Sequence, residues 1–239
     1  MDKNTKFQLF LLHFAGGSIY SYDFLKKYIE PNIEFIPLEL PGRGKRFSEK
    51  LLKTKNEVID DYFSQIKKLR NNAPYIIFGH SMGATIGLSL VTKLEAIGDA
   101  PEKLIVSGNP GPGIKKENDE VRYLLNDLQF KETLGKLGGI PKEVLDNQEL
   151  YEYFAPIIRA DFECLEKYFF SEKGIQINIP IFAMMGDEEE LSTKIENWSN
   201  FTNKDFEFKI LQGNHFFIHD HPFELGNIIM NCCYTSVIR

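Results

Sequence analysis

A chain of 239 residues that is 43% hydrophobic and 26% charged has the make-up of one globular domain with a sizeable core. Its formal net charge of -6 excludes the strongly basic surface that sequence-independent nucleic-acid binding needs. No stretch reaches the ~18 apolar residues of a membrane span, and the N-terminal MDKNTKFQLFLLHF has no small-residue cleavage site, so no membrane partner and no export are expected. Cys164, Cys232 and Cys233 show neither zinc spacing nor a disulfide framework. The expectation is a soluble, cytoplasmic protein with reduced cysteines and no bound metal, taken as a monomer.

Short apolar runs alternate with helical patterns along the chain. Phe7–Phe14 reads as a strand ending at AGGS, and Ser21–Ile29 as a helix with Phe24, Leu25, Tyr28 and Ile29 at helical spacing. Ile33–Leu40 is a second strand, closed by PGRG. Asn56–Leu69 is an amphipathic helix with Val58, Ile59, Tyr62, Phe63, Ile66 and Leu69 on one face. Tyr75–Gly79 is a third strand, followed by a helix from Met82. Lys103–Gly108, Ile179–Gly186 and Phe206–Gly213 complete the strands, and the tail from His221 closes with a helix. This rhythm predicts an α/β fold with a mostly parallel sheet and helices on both faces. Residues 109–175 break it. They open with NPGPG and carry helical pieces around Val121–Leu128, Phe130–Leu137 and Leu150–Phe170. They read as a helical insertion, a lid, over the C-terminal edge of the sheet within one domain spanning 1–239.

One polar residue stands out where the third strand meets its helix. Gly79-His80-Ser81-Met82-Gly83 is G-x-S-x-G, the tight strand-to-helix turn of the α/β-hydrolase fold. Glycines on either side remove Cβ atoms that would collide, and the serine hydroxyl is lifted above the sheet edge. A serine needs a base to act as a nucleophile. Among His13, His80, His215, His219 and His221, only His215 directly follows a strand exit, with His219 as the alternative. A carboxylate that orients the base is expected after Gly186, where Asp187, Glu188, Glu189 and Glu190 follow in a row. A tetrahedral oxyanion needs two backbone N–H donors; Met82, next to the serine, and Ala15, in the loop after the first strand, are the candidates.

These residues resemble the stand-alone type II thioesterases of nonribosomal peptide and polyketide synthesis. The resemblance runs through FAGGS, LPGRGKRFSE, FGHSMGA, FAPIIRADFECLEKY and GNHFFI, in that order, and covers nearly the whole chain. It implies an α/β-hydrolase with a helical lid. It also implies hydrolysis of acyl or aminoacyl thioesters on the phosphopantetheine arm of an acyl or peptidyl carrier protein, an editing activity that uses no cofactor. Carried over by position, Ser81 is the nucleophile and His215 the base. The acid position, three residues past the strand-end glycine, holds Glu189 in place of the usual aspartate, and Asp187 is the alternative.

Three further features have two readings each. Arg43, Lys45 and Arg46 beside glycines in PGRGKRF suit either a phosphate site or a turn with solvated charges. Tyr151, Tyr153, Phe154, Phe162, Tyr168, Phe169 and Phe170 either pack the insertion or line an acyl slot. Arg159 and Asp161 of RADF are either a structural pair or substrate contacts.

Overall fold

Six strands form one sheet in which every neighbouring pair is parallel: β1 Phe7–Leu12, β2 Ile33–Pro37, β3 Tyr75–His80, β4 Lys103–Ser107, β5 Ile181–Gly186 and β6 Phe206–Leu211. The computed structural model describes residues 7–115, 120–167 and 171–237. The spatial order is β2-β1-β3-β4-β5-β6. The chain therefore steps outward from β1 to β2, then crosses back to lay β3 on the other side of β1. Loops leaving β1 and β3 diverge at this reversal, which opens a crevice at the C-terminal ends of the strands.

The alternation of side chains along each strand assigns the two faces. Phe10, Leu12, Tyr75 and Ile77 pack with Val58, Tyr62 and Ile66 of helix α1, Lys55–Leu69, and with Ile86, Leu90 and Leu94 of α2, Met82–Glu95. Leu9, Leu11, Ile76 and Phe78 face the other way, onto Leu225, Ile229 and Cys233 of the closing helix Pro222–Val237. β1, β3 and β4 are buried along their whole length, which is why they read as mostly apolar runs broken only by Gln8 and by polar residues at their ends. α1 starts at a capping box: Thr54 accepts the Glu57 N–H while the Glu57 carboxylate accepts the Thr54 N–H. All three cysteines are buried and unbridged. No helix among the described residues is long and apolar enough to cross a membrane.

Several boundaries differ from the sequence reading. Ser21–Ile29 is not an α-helix but a 3₁₀ helix, Asp23–Tyr28; Pro31 bars Glu30 from helical geometry, so the run cannot lengthen. β5 starts at Ile181 because Pro180 has no N–H to give the ladder, though its carbonyl accepts the Leu104 N–H at 3.1 Å. Val121–Leu128 is not one helix: it holds a 3₁₀ turn, Arg122–Leu124, and only its last two residues belong to the helix that follows. Between β4 and β5 the chain then forms α3 Asp127–Leu137, α4 Lys142–Asp146 and α5 Gln148–Glu166; the closing helix is thus α6. α3 begins earlier than expected because Asn126 and Gln129 form a second capping box. α4 and a long 3₁₀ helix, Ser192–Phe201, which buries Trp198, have no counterpart in the sequence reading. Phe130, Leu134, Tyr151, Ala155, Ile158 and Phe162 give the segment between β4 and β5 a small core of its own.

Candidate active site

Ser81 occupies the turn between β3 and α2 with φ 54° and ψ -108°, a conformation that costs a non-glycine residue about 1–3 kcal/mol. The elbow is held by the Ser81 N–H, which donates to the Ser107 carbonyl at the end of β4 at 2.7 Å. Its tightness explains the flanking glycines. A Cβ on Gly79 would lie 2.2 Å from the Gly83 carbonyl oxygen, and one on Gly83 would lie 2.3 Å from that of Leu12. α2 begins at Met82, so the positive end of its dipole meets the serine.

Two more loops converge on the hydroxyl. The loop after β6 carries His215, whose Nε2 accepts from Ser81 Oγ at 3.0 Å. The loop after β5 carries Glu189, whose Oε2 accepts from His215 Nδ1 at 2.7 Å. That bond fixes the tautomer with the proton on Nδ1 and the lone pair facing the serine. The loops are laced together: Asp187 N–H donates to the Leu211 carbonyl at 2.8 Å, Glu188 N–H to that of Gly213 at 3.1 Å, and Gly213 N–H to Asp187 Oδ1 at 2.8 Å. Asp187 therefore secures the histidine loop and does not reach the imidazole; of the two carboxylates weighed from sequence, the structure brings Glu189 to His215. His219 packs instead against Phe24 and Phe216, at centroid distances of 4.5 and 5.9 Å. His80 lies behind His215, 5.0 Å away ring to ring, with Nδ1 3.0 Å from Ser107 Oγ. Burial, aided by the charges of His215 and His219, drives its pKa well below the ordinary histidine range.

The loop after β1 completes the rim. Gly16 N–H is taken by Asp161 Oδ2 at 2.7 Å and Gly17 N–H by the Phe14 carbonyl at 2.9 Å. The Ala15 N–H just before them has no acceptor among the described residues, and Ala15 lines the same cavity as Ser81 and His215. Met82 N–H belongs to the first turn of α2, where no helical carbonyl precedes it.

Above these groups lies a cavity of about 140 Å³. Leu134, Leu137, Ile140, Val144, Phe154, Ile158 and Phe162 line it, together with Phe14, Phe216 and the guanidinium-bearing Arg122. Of the aromatics weighed earlier, Phe154 and Phe162 line this space. Tyr151 is buried in the α3–α5 core, and Tyr153 faces solvent. Tyr168, Phe169 and Phe170 lie outside the described residues. Sequence reasoning missed Phe14, Phe216 and the α3–α4 wall; Phe14 and Phe216 neighbour Ala15 and His215, which was the available signal.

Two readings require correction. Arg159 and Asp161 do not pair, since residues two apart on a helix diverge. Arg159 binds Asp127 at 2.9 Å and the carbonyls of Tyr123 and Leu125, whereas Asp161 binds Arg43. PGRGKRF is no phosphate cradle: Arg43 is buried in that pair, and Arg46 is held by Glu49 and Asp61 at 2.6 and 2.7 Å.

The Thioesterase domain family matches residues 7–232. Linear gramicidin dehydrogenase LgrE of Brevibacillus parabrevis is 30% identical, over 100% of this chain and 92% of its own. Among solved structures, ClbQ from the colibactin NRPS/PKS pathway superposes with a TM-score of 0.89 at 30% identity, covering 98% of this chain and 99% of its own. The type II thioesterase BorB from the borrelidin biosynthetic cluster gives 0.85 at 30% identity, over 96% and 93%. The sheet, its helices and the serine elbow are those of the α/β-hydrolase fold.

Proposed function

Because the chain belongs to the thioesterase domain family, we propose that it hydrolyses acyl or aminoacyl thioesters carried on the phosphopantetheine arm of carrier proteins, as an editing enzyme of a nonribosomal peptide or polyketide assembly line. The observation that carries the reading is the unbroken relay from Glu189 through His215 to Ser81, opening on an apolar cavity. ClbQ, at 30% identity, comes from an NRPS/PKS pathway, and BorB, also at 30%, is a type II thioesterase of a biosynthetic cluster. The dehydrogenase in the name of LgrE is not carried over, because the family match and the relay both suit acyl transfer.

Ser81 Oγ attacks the thioester carbonyl carbon as its proton passes to His215 Nε2. Met82 and Ala15 N–H donate to the oxyanion, and Glu189 stabilises the imidazolium. Collapse breaks the C–S bond, His215 returns the proton to the departing thiolate, and the acyl group remains on Ser81. Water, deprotonated by His215, then attacks the acyl-enzyme carbonyl; the C–O bond to Ser81 breaks as His215 returns the proton to Ser81 Oγ, and the free acid leaves. The helices α3 to α5 act as the lid, and the cavity they roof receives the acyl chain.

The test is mass spectrometry of a carrier protein loaded with acetyl, hexanoyl and aminoacyl groups, incubated with wild type and Ser81→Ala. Wild type should regenerate the free phosphopantetheine thiol, and Ser81→Ala should lose about 10⁴-fold or more in kcat while keeping its fold. Turnover of free esters with none of loaded carriers would assign a small-molecule esterase instead. Carrier binding without turnover of either substrate would assign a docking module.

A further inference from the structure

The buried pair Arg43–Asp161 lies outside the relay, yet it grips the loop that carries Ala15. Asp161 Oδ2 accepts both Arg43 Nη1 at 2.6 Å and Gly16 N–H at 2.7 Å, and Oδ1 accepts Arg43 Nη2 at 2.8 Å. The two side chains are only 4% and 1% exposed. Arg43 Nη1 also reaches the Gly17 carbonyl at 3.4 Å.

Peptide geometry gives these bonds a consequence. The Gly16 N–H belongs to the peptide plane that follows Ala15, so its bond to Asp161 fixes the plane on that side. The Ala15 N–H shares the preceding plane with the Phe14 carbonyl, which accepts Gly17 N–H and His13 Nδ1, each at 2.9 Å. Both planes flanking Ala15 are thus clamped, and its N–H is aimed without having a partner of its own. The clamp comes from the helix that lines the cavity. One turn before Asp161, Ile158 presses on Gly16 so closely that a Cβ there would lie 2.7 Å from Ile158 Cγ1. Ile158 and Phe162 both line the acyl cavity.

We propose that Asp161, oriented by Arg43, is a positioning residue that holds the Ala15 N–H in place as an oxyanion donor and joins the cavity-lining helix to the reacting centre. The inference rests on the thioesterase reading, in which Ala15 is such a donor. It predicts a loss in kcat with little change in KM, because the oxyanion forms only as the reaction proceeds.

The experiment measures kcat, KM and Tm on a hexanoyl-loaded carrier protein for two double variants. Arg43→Met/Asp161→Leu replaces the pair with apolar groups, a change buried ion pairs often tolerate, and removes the acceptor for Gly16. Arg43→Met/Asp161→Asn also removes the charge but leaves a carbonyl oxygen to accept that N–H. The leucine variant should lose about 10- to 100-fold in kcat with KM within about 3-fold of wild type, and the asparagine variant should recover most of that loss at equal Tm. Equal kcat in the two doubles overturns the proposal. Should the leucine variant not fold, Asp161→Glu decides: it keeps the charge pair but displaces the acceptor, so reduced kcat at unchanged KM supports the clamp and wild-type kcat overturns it. Wild type without turnover on the loaded carrier sinks the thioesterase reading, and this inference with it, whereas an active wild type with equal doubles sinks the inference alone.

Discussion

Glu189 and His215 meet through one carboxylate oxygen, Oε2, 2.7 Å from Nδ1, while the other, Oε1, accepts the Gly186 N–H at 2.9 Å. The carboxylate is thus anchored to the end of β5 and cannot swing away when the imidazole charges. Glu189→Gln keeps the shape but offers the ring an amide, which no longer enforces the proton on Nδ1. Its kcat should fall about 10³- to 10⁴-fold. Asp187→Asn still presents an oxygen to the Gly213 N–H and should lose less than about 10-fold. Steady-state release of free acid from a loaded carrier checks both, and a larger loss in the Asp187 variant would reverse the assignment of the acid.

Ser81 and His215 were legible because each is announced by local pattern: glycines that permit an elbow, and a strand exit late in the chain. The central strands were legible as short apolar runs, because they are buried on both faces, and α1 by its period of 3.6. Glu189 was harder, because four acids in a row look alike until the turn after Gly186 chooses among them. The pairing of Arg43 with Asp161 spans 118 residues, and no local period encodes it. RADF suggested a neighbour for Asp161 where the helix turns Arg159 away. The 3₁₀ helix Ser192–Phe201 was lost, and Asp23–Tyr28 was legible as a helix but not as a 3₁₀ one, since such runs carry weak periodicity. The cavity wall depends on how α3, α4 and α5 pack, which the spacing of apolar residues within each helix does not state.

The elbow makes its own stability prediction. Gly83→Ala forces a Cβ to within 2.3 Å of the Leu12 carbonyl oxygen, a backbone atom that cannot move without moving β1. Overpacking of this kind costs about 1–3 kcal/mol, or roughly 2–10 °C in Tm for a chain of this size. It should also displace Ser81 and lower kcat. Gly87→Ala is the control: its Cβ meets Leu104 Cδ1 at 3.1 Å, the end of a flexible side chain. Thermal unfolding of the two variants should separate them by several degrees, and equal Tm values would show that the elbow has slack.

Acid should destabilise the protein through buried neutral histidines. Burial, reinforced by the Arg43 charge, lowers the His13 pKa from 6.5 to about 4. Between those values the unfolded chain binds the proton and the folded one does not, so stability falls as pH drops from 6.5 toward 4. His80 shifts in the same direction. Between pH 7.5 and 5 the His13 contribution is on the order of 2 kcal/mol. His13→Gln should flatten the decline in urea-unfolding free energy over that range by about this amount, and an unchanged slope would mean His13 protonates without penalty.

Chain-length preference should follow from the wall that α3 and α4 contribute to the cavity. Leu137 closes α3, Val144 lies on α4, and both line the cavity of about 140 Å³. An acetyl group needs little of that space, whereas a hexanoyl chain must extend toward the wall. Val144→Trp adds bulk to the cavity wall at a residue that belongs to neither the relay nor the Ala15 loop. It should cut kcat/KM for a hexanoyl-loaded carrier by about 10-fold or more, as the loss of a few methylene contacts does, and leave an acetyl-loaded carrier within about 3-fold. Parallel measurement on the two carriers decides the point. Equal losses on both would place the acyl chain elsewhere, because a wall that does not touch the chain cannot tell its length.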